Sequence, residues 1–322
     1  MIYIGYFVSV AVAVFLAITA ARYANILDRT TNLSGAFIGV VILAVVTSLP
    51  EFFTSMSAIT VFNIPDFPAG NVLGSNIFNI SIISFAILFY RRKFTKHRLS
   101  KIYSRIAVLV LIMYIMTGFV FGNIISLRVA HFSIISPLIL VVYAIGMRYV
   151  YVATDTIADE AALRYSASVE TKLTGKQTAV RLGITAILLV IVSGFVTYTA
   201  EKITLSWGIE GGFGGAIFLG IATSVPELAS FITLFRVRNY DIAVGSMIGS
   251  NMFNFTILAI TDIFSSGNMY LAGQAKSPVM VMTGLLTTAI FLFMLLERQD
   301  NKKVEVVCPA LILASYAAFL LL

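Results

Sequence analysis

The chain has 322 residues, 59% of them hydrophobic and 11% charged, whereas soluble domains carry about 25% charged residues. That composition excludes a soluble two-domain protein, and with it the nucleic-acid binding that a net charge of +7 could otherwise suggest; in a membrane chain Lys and Arg first report orientation. The single Cys308 excludes an intramolecular disulfide and a cysteine-based metal site.

A helix needs about 20 residues to cross the hydrocarbon core, and ten apolar stretches of that order run along the chain, at 2–21, 35–62, 67–90, 104–121, 131–153, 178–204, 212–235, 241–264, 277–296 and 304–322. The first has no basic segment before it and no small-residue cleavage site after it, so it is expected to be a retained helix. Spans two and three carry TSLPE at 47–51 and GNVLGSNIFNISI at 70–82. A basic run at 91–105 reads as an anchor beside anionic headgroups. Between spans five and six lies the most polar stretch, 154–177, a solvated linker. A GGFGG run at 211–215 loosens the entry to span seven, and spans seven and eight then carry TSVPE at 223–227 and GSMIGSNMFNFTI at 245–257.

Placing the N-terminus outside puts Arg22, Arg29, the basic run, Arg164, Lys172, Lys176, Arg236, Arg238, Arg298, Lys302 and Lys303 in cytoplasmic loops. Only Arg128, Lys202 and Lys276 remain outside, as the positive-inside rule demands. Ten spans then leave both termini outside, in a multi-pass protein of the cell inner (plasma) membrane.

The paired motifs recur in the same order in both halves, and each half holds five spans. An odd number of crossings reverses direction, so the repeats are inverted. The expected fold is an all-α membrane protein of ten transmembrane helices in two inverted five-helix repeats, 1–153 and 178–322, joined by the cytoplasmic linker 154–177.

Only two carboxylates, Glu51 and Glu227, sit deep within apolar spans. A charge at that depth costs about 2.5–3.5 kcal/mol on insertion scales, and no Lys or Arg lies at comparable depth in these spans. The missing counter-charge is a bound cation or protons. Thr47 and Glu51 are four apart, as are Thr223 and Glu227, so each pair shares a helical face. Ser75 and Asn79, and Ser250 and Asn254, have the same spacing. Four converging helices would enclose carboxylate, hydroxyl and amide oxygens, the donor set of a hard cation such as calcium or sodium. Zinc and copper fit poorly, because His97 and His131 are remote from the motifs. Pro50 and Pro226 cannot donate to the helical ladder and free carbonyls one turn earlier. Gly70, Gly74, Gly245 and Gly249 permit close helix approach.

TSLPE with GSNIFN, and TSVPE with GSNMFN, resemble the alpha repeats of the cation/calcium exchanger superfamily, in its prokaryotic sodium/calcium exchanger branch. The resemblance implies antiport by alternating access, with sliding of the first and sixth spans and no cofactor. It also implies calcium held by Glu51, Glu227, Thr47 and Thr223. Sodium would be held by Ser48, Ser75, Asn79, Ser224, Ser250 and the carbonyls of Ala44 and Gly220. Val46 and Ala222 stand where many members have Gly, Ser246 where Asn is usual, and Asn254 where some members have Asp; the last argues against potassium dependence. The proton-coupled branch has Gly-Asn-x-x-Glu where this chain has Ser48 and Ser224, which favours sodium over a calcium/proton antiporter. A passive cation channel lined by the same oxygens is the reading from another class. A membrane enzyme is disfavoured, because the spans hold no deep His and no pair of aspartates.

Overall fold

The computed structural model describes residues 1–94, 97, 99–129, 131–155, 173–206, 213–265, 269–272, 277–298 and 301–321. The linker expected at 154–177 lies mostly outside them. The first half forms α1 (Ile2–Thr30), α2 (Gly35–Thr60), α3 (Phe67–Phe94), α4 (Ile102–Phe121), a hairpin of β1 (Arg128–Val129) and β2 (Phe132–Ser133), and α5 (Ile135–Asp155). The second forms α6 (Gly175–Ser206), α7 (Phe213–Arg236), α8 (Tyr240–Phe264), the short α9 (Met269–Ala272), α10 (Ser277–Glu297) and α11 (Val304–Leu321). Among the described residues nine of these helices are long and apolar enough to cross a membrane. The tenth expected span is the helix α7, which carries TSVPE. The chain is thus an all-α membrane protein of two inverted five-helix repeats, with the hairpin as a small exception.

The motif helices α2, α3, α7 and α8 pack on one another at the centre, while α1 lies along α6 and both contact α7. Of the nine spans α8 is the least apolar and the most buried. Its polar residues face protein and not lipid, which is the arrangement that lets polar groups persist at membrane depth.

The predicted span 35–62 is not a uniform α-helix. Ser34 caps its start by accepting from Phe37 N at 3.1 Å. Ile38–Leu43 then winds as a π-helix before Ala44–Thr60 returns to α geometry with Pro50 inside it. The wider turn lies against α8, where glycine sets the separation. A Cβ on Gly249 would fall 2.3 Å from Val40 O and 2.7 Å from Val40 Cα, and one on Gly39 would meet Ile242 O at 2.8 Å. The expected close approach holds at Gly249, and at Gly245 a Cβ would meet Tyr103 at 3.2 Å. It does not hold at Gly74, where a Cβ finds only the Met280 methyl at 3.6 Å. The two repeats are therefore not packed alike around their glycines.

The span expected at 131–153 begins later, at Ile135, because 128–133 turns back as the hairpin. Ile134 N donates to Leu127 O, Arg128 donates to the His131 carbonyl, and Ser133 Oγ accepts from Ile135 N to start the helix. The end of α8 completes this junction. Asp262, fully buried, accepts from Ser133 N at 2.8 Å and from Ser136 Oγ at 2.6 Å, so a carboxylate from one helix stands at the N-terminus of another. Asp262→Leu leaves Ser133 N without an acceptor, at about 1–3 kcal/mol, and leaves Ser136 Oγ only the Tyr270 hydroxyl at 3.3 Å. Thermal unfolding in detergent should show the loss, with Asp262→Asn much milder; equal melting of the Leu variant and the unsubstituted protein would contradict this role.

A second buried acid at a helix end, Glu305, accepts from Arg298 Nε at 3.1 Å. Arg298 Nη2 also donates to Phe94 O and His97 O, and its guanidinium stacks 4.4 Å from the Phe94 ring centre. Burial lowers the Arg298 pKa from its usual value, and the Glu305 carboxylate opposes that shift. His97 in turn meets Asp241 at 2.9 Å. These contacts bolt the segment after α3 to α8, α10 and α11.

Candidate cation site

Glu51 and Glu227 are 0% and 1% exposed, each one turn beyond the Thr-Ser pair of its motif. Their contacts cross between the repeats. Ser48 of the first motif donates to Glu227 Oε1 at 2.6 Å, and Ser224 of the second donates to Glu51 Oε1 at 3.3 Å. Ser75 joins this group through a 2.7 Å hydroxyl contact with Ser224. Among the described residues no Lys, Arg or His pairs with either glutamate.

The remaining predicted residues close around this core. Thr47 donates to Leu43 O at 2.9 Å and Ala44 O at 3.3 Å, while Ser250 of α8 reaches the same Ala44 carbonyl at 3.4 Å. That carbonyl is therefore open to the space between α2 and α8. Thr223 donates to Asn71 Oδ1 at 3.3 Å. A hydroxyl that gives its hydrogen to a carbonyl keeps its lone pairs as acceptors. Besides Ser48, Ser250 and Asn79 are polar neighbours of Glu227. Gly220 lies in α7, but its surroundings fall outside the described side chains.

Asn79 and Asn254 are fully buried and are held through two asparagines that spacing alone did not single out. Asn79 Nδ2 donates to Asn251 Oδ1 at 3.0 Å, and Asn254 Nδ2 donates to Asn76 Oδ1 at 2.9 Å. A third, Asn71, donates to Ser55 Oγ at 2.9 Å and to Glu51 O at 3.3 Å, tying α3 to α2 beside the carboxylate. The signal available for Asn76 and Asn251 was the exact recurrence of GSNxFN in both halves; Asn71 has no counterpart, since Ser246 occupies the matching position.

After these bonds are made, four buried oxygens in the group have no donor: Glu51 Oε2, Glu227 Oε2, Asn79 Oδ1 and Asn254 Oδ1. Buried acceptors are almost always satisfied, so this group calls for a species that accepts four lone pairs and balances two negative charges. A hard cation, which takes six to eight oxygens in the case of calcium, has that chemistry.

The model of the sodium/calcium exchanger protein family matches residues 1–153 and 178–322. Inner membrane protein YrbG of Escherichia coli (strain K12) is 28% identical over 270 residues, covering 82% of this chain and 80% of that protein. The putative antiporter CaxA of Alkalimonas amylolytica is 26% identical over 294 residues, covering 88% and 86%. A solved structure of the sodium-calcium exchanger NCX_Mj superposes with a TM-score of 0.67 over 99% of this chain and 98% of that one at 21% identity, a likeness of fold. With the family model spanning both repeats, the chain belongs to the sodium/calcium exchanger family of membrane transporters.

Proposed function

We propose that this chain is a secondary antiporter of the cell inner membrane that exchanges sodium for calcium through the site between Glu51 and Glu227, with both termini outside. The observation that carries the reading is the set of four buried oxygens without donors, two of them on carboxylates. Calcium would bind Glu51, Glu227, Thr47 and Thr223. Sodium would use the serine hydroxyls at 48, 75, 224 and 250, Asn79, Asn254 and the carbonyls of Ala44 and Gly220. Ser48 and Ser224 each bond the opposite repeat's glutamate, so an ion that engages the carboxylates acts on both halves at once. Overlapping sites make occupancy exclusive, and exclusive occupancy couples the two gradients. The pairing of α1 with α6 against α7 supports their moving as a unit to expose the site to one side and then the other.

A proton-coupled reading is supported by the same oxygens. One proton on each glutamate would convert two of the four acceptors into donors. Calcium uptake into vesicles separates the two. Sodium-loaded vesicles diluted into sodium-free medium should accumulate calcium against its gradient. Uptake driven by a pH gradient alone, with sodium inert, would replace sodium by the proton. Calcium flux independent of either counter-ion would indicate a passive channel.

A further inference from the structure

The four asparagines of the two GSNxFN motifs form a closed clasp where α3 crosses α8. Asn76 Nδ2 donates to the Asn251 backbone carbonyl at 3.2 Å, and Asn251 Nδ2 donates to the Asn76 carbonyl at 3.0 Å. A backbone carbonyl can only accept, so these two contacts fix which end of each side-chain amide is nitrogen. Once both nitrogens face backbone, Asn76 Oδ1 and Asn251 Oδ1 are left to meet the amides of Asn254 and Asn79. An oxygen there demands a donor. Asn254 and Asn79 must present Nδ2 to the clasp, and they do. Their own carbonyl oxygens are what remains, and these are two of the four buried acceptors without a partner.

We infer that Asn76 and Asn251 are positioning residues: they fix the amide orientation of Asn254 and Asn79 so that both offer the transported cation an oxygen and not an N–H group. This inference rests on the proposed cation reading of the site. An amide turned the other way would set a donor, with its partial positive charge, beside the ion. The orientation is decided not by the carboxylates but by the backbone carbonyls of Asn76 and Asn251. Each repeat orients the other's ligand, as each repeat's serine bonds the other's glutamate.

A merely structural clasp and an orienting one respond differently to a carboxylate. Asp offers an oxygen from either face and needs no orienting partner. Calcium binding to the purified full-length chain, measured by titration calorimetry, is therefore compared in Asn76→Ala, Asn254→Asp and the double variant. Asn76→Ala is expected to weaken calcium binding about tenfold, the scale of one lost buried oxygen contact. Asn254→Asp in the Asn76→Ala background is expected to bind at least as tightly as Asn254→Asp alone, because the Asn76 oxygen that would face the new carboxylate is gone. The inference is overturned if Asn76→Ala binds like the unsubstituted chain, or if it costs the same tenfold in both backgrounds. The mirror pair, Asn251→Ala with Asn79→Asp, gives the same reading should Asn76→Ala fail to elute as a single species. No calcium binding to the unsubstituted chain would instead refute the cation reading itself.

Discussion

Glu51→Gln is expected to abolish calcium exchange, and Glu227→Gln to do so independently, with each protein still folded and in the membrane. Both carboxylates are sealed from water and lack a basic partner among the described residues. A unit charge about 4 Å from another interacts by about 4 kcal/mol at an effective dielectric of 20, which is about three orders of magnitude in affinity. Glutamine keeps the shape and one carbonyl oxygen, so the loss isolates charge from packing. The fold should gain: a neutral amide is cheaper to bury than an ionised carboxylate. Calcium uptake into reconstituted vesicles, with thermal unfolding on the same preparations, checks both halves of the expectation. Unimpaired exchange in either variant would remove that glutamate from the site.

Gly249→Ala should be strongly damaging. The added methyl would stand 2.3 Å from Val40 O, 2.7 Å from Val40 Cα and 2.8 Å from the Ala44 side chain. Backbone atoms of a buried helix cannot swing aside as a flexible side chain does, so α2 and α8 must separate. Overpacking of this kind costs about 1–3 kcal/mol and sometimes more, and here it would also move the Ala44 carbonyl away from Ser250. Gly74→Ala, at the matching position of the first repeat, meets nothing closer than 3.6 Å. It should be neutral or stabilising, since alanine is favoured over glycine within helices by up to about 1 kcal/mol. Thermal unfolding of the two variants side by side is decisive; equal melting temperatures would mean that the α2–α8 crossing yields easily.

The contrast between those glycines shows where sequence reasoning ends. Gly74 and Gly249 occupy the same place in the same motif, and nothing local tells them apart. What differs is the partner: Gly249 faces the π-helical turn Ile38–Leu43, itself an apolar run, IGVVIL, with no mark of unusual winding. The glutamates were legible for the opposite reason. A carboxylate within an apolar span is expensive wherever it occurs, and its recurrence at matching positions in inverted halves needs no tertiary information. Helical spacing also gave Thr47, Ser75, Asn79 and their counterparts. It could not give Asn76 and Asn251, whose importance lies in the carbonyls of another helix. Nor could it show that Asp262 and Glu305, at helix ends where acids usually meet water, would be buried by neighbouring segments.

The exchange of contacts between repeats gives the symmetry a physical use. Ser48 with Glu227, Ser224 with Glu51, and the four-asparagine clasp all join a residue of one half to a residue of the other, in symmetry-related pairs. An ion bound at the centre, as proposed, would sense the relative position of the halves, which is the property an alternating-access exchanger needs.

Equilibrium competition between sodium and calcium separates one shared site from independent ones. Calcium binding to the purified chain should weaken progressively as sodium replaces an inert monovalent cation at constant ionic strength, and it should vanish in Glu51→Gln. Calcium affinity that ignores sodium, or that survives loss of Glu51, would contradict a shared site between the two glutamates.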